Sequence, residues 1–323
     1  MYKAIIIGCG RIGAEYDFDP NQKLISTHAG AYSANPKTDL TAVCDLDIKK
    51  AEKAQKKWNI PVIYQDYKAM LEQEKPDIIS ICTWEDTHAE IVKHCAKYSP
   101  KAILCEKPIA PSVEEAQEII QTCQDQNITL QVNYMRRFSP LYQEIASFIK
   151  EGRLGQIQKI SGHYGNGLMT NASHLIDLAH LFLSETFTTI QAQKSQIPSA
   201  YVNDPNYAFL AKTPSGTHFS LLPQDSSKYL SLELKIWGTL GAIRLTKNGY
   251  DLEFFVPKPH SIFPAQQELT PATPPFKNKP DGRFLENSIE SLLTTIETNT
   301  KPLCTGEDAL KTLEFVLQCK KNL

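Results

Sequence analysis

The spacing of apolar residues changes near the middle of the chain. Up to Tyr134, short unbroken apolar runs alternate with segments of helical periodicity, which is typical of parallel strands joined by helices. Helix-starting residues precede several of these segments, namely Asp47, Asp66 and the capping pair Ser112 and Glu115. The runs predicted to be strands are 4–7, 40–44, 61–64, 77–82, 102–105 and 129–134. Six such strands predict an α/β domain over residues 1–134, with a doubly wound parallel sheet.

In the second half, strands follow one another directly. The predicted strands are 157–164, 188–195, 207–212, 217–222, 230–237, 242–246 and 250–256. Asn248-Gly249 lies between the last two and is a hairpin signal. The segment 257–280 holds seven prolines, which predicts an extended loop, and two helices are expected near 283–297 and 307–319. Residues 135–323 are therefore predicted to form an α+β domain with a mainly antiparallel sheet.

Composition excludes several classes of protein. The 323 residues exceed the usual size of one core, which agrees with two domains. The formal net charge is −2, and the lysines between 49 and 57 fall on a predicted helix as a solvated face, not a nucleic-acid footprint. No apolar run approaches the ~20 residues of a membrane span, and no signal peptide precedes the first strand. The eight cysteines lack C-x-x-C spacing, which favours a reduced cytoplasmic protein without a metal site.

A glycine fingerprint follows the first predicted strand. The stretch MYKAIIIGCGRIG places Gly8, Gly10 and Gly13 at G-x-G-x-x-G spacing, with Arg11 and Ile12 inside the loop. Gly8 would permit a tight turn, Gly10 would let a pyrophosphate approach the backbone, and Gly13 would allow close helix–strand packing. Phosphates would then meet N–H groups at a helix N-terminus. A turn without a ligand is the alternative, but the strand context favours a Rossmann dinucleotide site.

An additional stretch, AEYDFDPNQKLIST (14–27), separates this fingerprint from the helix predicted at 28–34. Its turn-forming residues predict a loop or an interrupted helix. Because it follows the phosphate loop directly, it is expected near the mouth of a cofactor site. A surface excursion without a role is the equal alternative.

Asp45 ends the second predicted strand, in AVCDLD. A carboxylate there can accept both hydroxyls of an adenosine ribose and would repel a 2′-phosphate. Helix capping is the alternative role, but Asp47 is better placed for it. The sequence therefore favours NAD over NADP as the cofactor.

Eight motifs occur in a fixed order along the chain. They are GCGRIG, HAGAYSANPKTDLTAVCD, TWEDTHAEIVKHC, CEKPIAPSVEEAQEI, QVNYMRRFSP, GLMTNASHLIDLA, WGTLGAIRL and CTGEDALKTLEFV. No single motif is decisive. In this order they resemble the Gfo/Idh/MocA family of NAD(P)-dependent oxidoreductases, named for glucose–fructose oxidoreductase and inositol dehydrogenase. The resemblance runs from end to end of the chain.

The resemblance implies a catalytic role for Lys107. Glu106-Lys107-Pro108 matches the family's E-K-P motif, whose lysine reaches the substrate hydroxyl beside the nicotinamide. An ammonium there stabilises a developing alkoxide, and Glu106 is expected to hold that ammonium in place. A surface salt bridge at a strand end is the alternative.

His174 matches the family's catalytic histidine, which takes the hydroxyl proton while hydride leaves the same carbon. Imidazole suits this role because its unperturbed pKa of ~6.5 lies near working pH. Its neighbours on the predicted helix are apolar, so a core histidine is the alternative.

The family usually has an aspartate four residues earlier, one helical turn away, where this chain has Thr170. That departure puts the substrate class and the strength of the proton relay in doubt, and Asp177 is only a partial substitute.

Several further residues are expected to contact ligands. Thr83 and Trp84, with His88, are predicted to line the cofactor cleft; for Thr87, capping alone is the alternative. Of Arg136 and Arg137, at least one is predicted to tie the domains together, while the other, assigned here as Arg136, binds a carboxylate or phosphate of the substrate. Candidate binders of substrate hydroxyls are Asn166 and Asn171.

The combined prediction is an NAD-dependent dehydrogenase acting on a secondary alcohol of a sugar, cyclitol or nucleotide sugar. The alternative is a non-catalytic dinucleotide-binding sensor of the same fold, which the missing aspartate favours and the retained Lys107 and His174 oppose. In the family the antiparallel sheet makes oligomers, which implies a homodimer or homotetramer here.

Overall fold

The computed structural model describes residues 1–321, which form two compact units. The first unit consists of Met1–Phe138 and Gly282–Leu313. The second consists of Ser139–Asp281 and the chain from Glu314 onward. The chain thus first passes from one unit to the other after Phe138, four residues beyond the predicted boundary at 134.

Residues 282–313 differ from the sequence-based assignment, which placed them in the second domain. Their helix contributes Leu285, Ile289 and Leu292 to the core cluster that also contains Ala4 and Ile6 of the first strand. Burial of this apolar face stabilises the return of the chain to the first unit. Helical periodicity predicted the helix but not the sheet against which it packs.

A six-stranded parallel sheet forms the first unit, in the order β3-β2-β1-β4-β5-β6. The strands are β1 (Tyr2–Ile7), β2 (Thr38–Cys44), β3 (Val62–Tyr64), β4 (Ile78–Ile81), β5 (Ala102–Cys105) and β6 (Thr129–Val132). The helices are α1 (His28–Ala34), α2 (Ile48–Trp58), α3 (Tyr67–Glu74), α4 (His88–Ala96), α5 (Val113–Asp125) and α8 (Phe284–Thr298). The predicted doubly wound sheet is confirmed.

Predicted helix caps are present in this unit. Asp47 and Asp66 each accept a hydrogen bond from the backbone amide two residues on. Ser112 accepts one from the amide of Glu115. Each bond satisfies a donor that a helix N-terminus leaves without an intrahelical acceptor.

The strand order reverses at β1, which pairs with β2 on one side and β4 on the other. In an open parallel sheet, ligands bind at the carboxyl edge beside such a switch point. The segments that follow the strands at this edge are Gly8–Gly13, Asp45, Thr83 and Glu106-Lys107. The fold therefore brings the predicted cofactor residues of the first unit to one edge.

The second unit contains an eight-stranded sheet in the order β14-β13-β12-β11-β7-β10-β9-β8. The strands are β7 (Ile157–Tyr164), β8 (Thr189–Lys194), β9 (Tyr207–Lys212), β10 (His218–Pro223), β11 (Glu233–Gly238), β12 (Gly241–Thr246), β13 (Asp251–Pro259) and β14 (Gln267–Ala272). Its helices are α6 (Pro140–Lys150) and α7 (Ser173–Leu183); α9 (Gly306–Lys321) begins in the first unit and ends in the second. All pairs are antiparallel except β10 with β7, as a mainly antiparallel sheet requires.

The prediction of a structureless loop over 257–280 is wrong. β13 extends to Pro259 and pairs there with β14. β12 pairs only with Asp251–Phe255, so Pro257 and Pro259 lie where β13 has a single neighbour. A proline at such a position removes an N–H that the ladder does not need.

Aromatic side chains form much of the core of the second unit. Phe209 and Phe315 have ring centroids 5.0 Å apart, as do Phe187 and Phe219. Such pairs add to the stabilisation from area burial alone. Within residues 1–321, the helices are too short or too polar to cross a membrane.

Candidate active site

The glycine loop has the geometry expected of a dinucleotide-binding turn. Gly8 has φ +98°, and a Cβ there would lie 2.7 Å from the carbonyl oxygen of Cys82. A Cβ on Gly13 would lie 2.1 Å from the carbonyl oxygen of Gly8. At Gly10 a Cβ would meet nothing within 4 Å, so this side of the loop leaves space beside the backbone. The turn at Gly8 and the close packing at Gly13 are present as expected, and the approach of a pyrophosphate at Gly10 stays a prediction.

Asp45 lies against this loop. Its Oδ2 accepts a hydrogen bond of 2.8 Å from the backbone amide of Cys9, and its Oδ1 accepts one of 2.9 Å from the amide of Asp47. An ionised carboxylate has about four acceptor positions, so two bonds leave capacity for further donors. The contact with Cys9 is a feature that sequence reasoning missed.

The 14–27 segment folds as an ordered excursion from the first helix of the fold. After a 3₁₀ turn at Glu15–Phe18, the chain returns so that His28 N–H donates to Ile12 and Ala29 N–H donates to Gly13, each at 3.0 Å. Helical hydrogen bonding thus continues from the glycine loop into α1 across the excursion. The segment is therefore an insertion into one helix, and its two ends lie beside the glycine loop.

Asp17 fixes the interior of this insertion. It is buried, and its carboxylate accepts from Ser26 N–H at 2.8 Å and from the Thr27 hydroxyl at 2.5 Å. The ammonium of Lys57 donates to the Asp17 carbonyl. A cavity of about 380 Å³ lies between the insertion and the two helices α1 and α2. The middle of the insertion therefore packs on α2 while its ends remain at the glycine loop.

Thr83 and Trp84 follow β4 at the carboxyl edge. The side chain of Trp84 is 76% exposed. The hydroxyl of Thr87 lies 2.7 Å from the Thr83 hydroxyl and 2.8 Å from the Trp84 carbonyl. Thr87 therefore closes the turn before α4, and its hydroxyl makes no side-chain cap to that helix.

His88 is engaged with the protein. Its ring is 1% exposed, with Nδ1 3.1 Å from the carbonyl of Ile109 and Nε2 3.2 Å from the carbonyl of Thr83. The expected direct contact between this side chain and a cofactor does not fit that burial. The ring instead holds the backbone of Thr83 in place at the end of β4.

Glu106 is buried, which rules out the surface salt bridge considered as the alternative for the E-K-P motif. Its Oε1 lies 3.0 Å from His28 Nε2 and accepts a 2.6 Å bond from the Asn133 amide. Its Oε2 accepts a 3.2 Å bond from the backbone N–H of Lys107. Burial raises the pKa of this carboxyl, but the bond and the charge of His28, the Asn133 bond and the charge of Lys107 outweigh it, so the pKa lies below the usual value. Glu106 therefore fixes the backbone of Lys107 and carries a negative charge beside it.

Polar residues behind Glu106 were not predicted as site residues. His28 Nδ1 lies 2.9 Å from the hydroxyl of Ser80, which lies 2.9 Å from the hydroxyl of Tyr32. On the other side, Ser288 donates to Asn133 at 3.0 Å. His28 lies in the motif HAGAYSANPKTDL and Asn133 in QVNYMRRFSP, but no local pattern in the sequence joins them. Only the fold brings them to Glu106.

The two arginines after β6 lie in a buried 3₁₀ turn of the first unit. Arg137 Nη1 donates to the Leu303 carbonyl and pairs with Asp308, both at 3.3 Å. The predicted tie through Arg137 therefore connects two segments of one unit. Arg136 is also buried, with its guanidinium 5.8 Å from the ring centroid of Phe284.

In the second unit, a π-helical turn at Leu168–Ala172 precedes α7. Thr170 lies in this turn, so the spacing from Thr170 to His174 is not the regular α-helical turn expected from the sequence. His174 is buried on α7, and Asp177 is buried one turn further on. Burial of His174 agrees with a catalytic and with a core histidine alike.

The start of this π-helical turn is held by an unpredicted carboxylate. Asp204 accepts from the backbone amides of Met169 at 2.9 Å and Thr170 at 2.7 Å. The predicted hydroxyl binders make backbone bonds nearby: Asn166 accepts from the amide of Ala200 at 3.2 Å, and Asn171 donates to the Gly165 carbonyl at 2.7 Å. Asp204 therefore places its carboxyl group against Thr170, which stands where the family usually has an aspartate.

All eight cysteines are buried thiols. Burial raises the pKa of the Cys123 and Cys319 thiols to about 12, so they are neutral at working pH. Among the residues from 1 to 321, no group of three His, Cys, Asp or Glu side chains is arranged to hold a metal ion.

Comparison with known proteins assigns the first unit. Residues 2–134 match the model of the Gfo/Idh/MocA family, described as an oxidoreductase family with an NAD-binding Rossmann fold. Over these residues the chain is similar to the Gfo/Idh/MocA family. The resemblance predicted from the motifs is confirmed, as is NAD as the cofactor of the family.

Relatives extend the match over the whole chain. The uncharacterized oxidoreductase YrbE of Bacillus subtilis is 24% identical and covers 98% of this chain and 93% of its own. An inositol 2-dehydrogenase of Rhizobium meliloti is 24% identical and covers 95% and 92%. The solved WlbA dehydrogenase of Bordetella pertussis, in complex with NADH and UDP-GlcNAcA, superposes with a TM-score of 0.77 at 17% identity, covering 99% and 96%. The two sequence relatives are named an oxidoreductase and a dehydrogenase, which supports the predicted class, an NAD(P)-dependent dehydrogenase.

Proposed function

We propose that the protein transfers hydride between NAD and a secondary alcohol of a sugar, cyclitol or nucleotide sugar. The observation that carries this proposal is the placement of Lys107. It follows β5 at the carboxyl edge of the sheet, and its backbone is held by the buried Glu106 carboxylate. The charge of Lys107 lowers the pKa of Glu106, and an ammonium at this edge can stabilise a developing alkoxide.

The residues at this edge fit a dinucleotide. The open side of Gly10 would admit the pyrophosphate, next to N–H groups at the start of a helix. The remaining acceptor positions of Asp45 would bind the ribose hydroxyls, and its charge would oppose a 2′-phosphate. Thr83 and the exposed Trp84 would line the same cleft, and His88 would support Thr83 from behind.

The nicotinamide of the bound cofactor supplies the hydride acceptor. Lys107 would donate a hydrogen bond to the substrate oxygen and stabilise the negative charge that develops there. His174 would take the hydroxyl proton in the direction of oxidation and return it in the reverse direction, the role that the family resemblance gives it. Thr170, Asn166 and Asn171 would contact substrate hydroxyls, and Arg136 would bind an acidic group of the substrate.

The names of two relatives support the proposed substrate class. Inositol 2-dehydrogenase is named for a cyclitol, and the WlbA structure contains a nucleotide sugar. Thr170, in place of aspartate, is the residue on which we propose that the choice between these classes depends. We further propose a cytoplasmic homodimer or homotetramer, with the antiparallel sheet as the assembly surface.

A substrate screen tests the function. NAD⁺ reduction would be followed at 340 nm with myo-inositol, free aldoses and UDP-N-acetylglucosamine, beside a fluorescence titration with NADH. We expect NADH binding and turnover of at least one polyol. NADH binding with no oxidation of any polyol would contradict the proposal and would identify the non-catalytic sensor instead.

A further inference from the structure

A continuous chain of hydrogen bonds runs through the interior of the first unit to Glu106. Tyr32 on α1 contacts Ser80 on β4, Ser80 contacts His28 at the start of α1, and His28 contacts Glu106 after β5. The three heavy-atom distances are 2.9, 2.9 and 3.0 Å. Tyr32, Ser80 and His28 are each 0% exposed. Buried polar groups at this depth are stable only when their bonding capacity is satisfied.

The donor at each step follows from the ionised carboxylate, which can only accept. His28 must therefore donate through Nε2–H. With a proton on Nε2 alone, Nδ1 accepts from the Ser80 hydroxyl and Ser80 accepts from the Tyr32 hydroxyl; with a proton on both nitrogens, Nδ1–H donates to Ser80. Burial raises the pKa of Tyr32 far above its usual value, which keeps that hydroxyl protonated as a donor. In both cases Nε2–H donates the bond to Glu106.

His28 and Lys107 are the groups whose charge lowers the pKa of Glu106. Burial, followed by the charge of Glu106, raises the pKa of the Cys82 and Cys105 thiols well above the usual value. These thiols are neutral. Asn133 donates a second bond to the carboxylate oxygen that His28 contacts, and Ser288 fixes the Asn133 amide from the other side. Lys107 contributes both a backbone N–H and a charge.

The insertion at 14–27 determines where His28 sits. Thr27 caps α1 by accepting from Gly30 N–H at 3.1 Å, and the same hydroxyl donates to Asp17. The backbone N–H of His28 donates to Ile12 at the glycine loop. The backbone that carries the imidazole is therefore fixed at the first residue of α1.

We propose that His28 is a positioning residue of the reaction, because its Nε2–H bond holds Glu106 ionised and oriented, and Glu106 in turn holds Lys107. This inference rests on the proposed function, since it assigns a role to Lys107 in turnover. Ser80 and Tyr32 fix the tautomer of His28 in the way that a hydrogen-bonded partner orients a catalytic imidazole. The substrate oxygen is touched by Lys107, whereas His28 acts at one remove.

Two substitutions at His28 separate its donor role from its space-filling role. Gln at position 28 can present an amide N–H near the place of Nε2, whereas Leu fills the space without a donor. We expect H28L to lower kcat by ~10-fold or more, while H28Q stays within ~3-fold of the wild type, because a hydrogen bond to a charged group is worth about 1.5–3 kcal/mol.

In H28L the acid limb of the kcat/KM profile should move to higher pH, because Glu106 loses a bond to its ionised form. NADH affinity should change little in both variants. H94L, on α4 of the same unit, is the matched control.

A double-mutant cycle shows whether His28 acts through Glu106. Added to E106Q, H28L should cause no further loss of kcat, because the carboxylate on which His28 acts is already gone. Additive losses would overturn the inference, as would equal losses in H28L and H28Q with an unmoved acid limb.

A measurement on the folded wild type does not depend on the variants. Side-chain ¹⁵N NMR, with His28 assigned by comparison with H28Q, should show a proton on Nε2. A ring protonated on Nδ1 alone would contradict the inference.

If K107M retains full turnover, the proposed function fails; if K107M is inactive but H28L is fully active, only the role of His28 fails. No NAD⁺ reduction with myo-inositol, free aldoses or UDP-N-acetylglucosamine would overturn both.

Discussion

The carboxylate of Asp45 joins the end of β2 to the glycine loop through a 2.8 Å bond from the backbone amide of Cys9. One side chain therefore shapes the loop that would receive the pyrophosphate and carries the charge that would meet the ribose. These two effects can be separated, because asparagine keeps an acceptor for Cys9 but not the charge.

The first prediction concerns cofactor choice. D45N should keep most NADH affinity and relax discrimination against NADPH, because the repulsion of a 2′-phosphate is removed. D45A should weaken NADH binding by ~10-fold or more, since it removes both the charged acceptor and the loop contact. Fluorescence titrations with NADH and NADPH measure both effects. Unchanged curves for both cofactors in D45A would remove Asp45 from the cofactor site.

The second prediction concerns Lys107. K107A should lower kcat by ~10² or more with nearly intact NADH binding, because the loss is that of an electrostatic group used in the transition state. K93A is the matched control, since Lys93 is an exposed lysine of the same unit paired with Glu118 on the surface. Steady-state kinetics on the polyol found in the screen, with an NADH titration, measure the outcome. Full activity of K107A would end the catalytic role of this lysine.

Local sequence was sufficient for the parts of the site that consist of neighbouring residues. The roles of the glycines follow from their spacing after a β-branched run, and the Asp47 cap follows from its place before α2. Contacts between distant segments were not accessible in this way. His28 meets Ser80 and Glu106 across 52 and 78 residues, and nothing in either segment specifies the other.

The same limit explains where the structure of the second half of the chain differs from the sequence-based prediction. The pattern of α8 shows an apolar face, but the surface that covers this face depends on the whole fold. The prolines at 257 and 259 argue against a central strand, and only the register shows that one side of β13 has no neighbour there. Asp204 lies 34 residues from Thr170 and belongs to no motif that was recognised.

The third prediction is a pH dependence of stability. The folded state lowers the pKa of Glu106, so the unfolded state binds more protons between the folded value and the unfolded value of ~4.3. This contribution is fully present above that unfolded value and is lost as the pH falls through the folded pKa. E106Q should therefore show a shallower loss of unfolding free energy in acid than the wild type. Urea denaturation between pH 3 and 7 measures it, and parallel curves would contradict the assigned ionisation.

The fourth prediction concerns the insertion. A Cβ on Gly30 would lie 2.4 Å from Asp17 Oδ2 and 3.0 Å from Ile25 Cγ2. G30A should therefore destabilise the first unit, and D17A should do so by about 1–3 kcal/mol, because Ser26 and Thr27 lose their acceptor. Added to D17A, G30A should cost less than it does alone, since its closest clash is gone. Denaturation curves of the four proteins test this, and additive effects would show that Asp17 does not limit the space at Gly30.

The last prediction uses the charge beside Thr170. Asp204 Oδ2 lies 2.7 Å from the Thr170 amide, so T170D, which restores the residue usual in the family, would place a second carboxylate next to an existing one. Like charges at this distance disfavour each other's ionised forms. T170D should therefore lower the unfolding free energy, and D204N in the same chain should recover part of the loss. D204N alone should cost about 1 kcal/mol, as does the loss of a capping acceptor.

NADH titration curves should be unaltered in all three variants, because Asp204 and Thr170 belong to the second unit. The profile of oxidation rates over the polyol panel should shift in T170D, and an unaltered profile would remove Thr170 from substrate selection. Additive changes in unfolding free energy would show that Asp204 does not take the place of the family's aspartate.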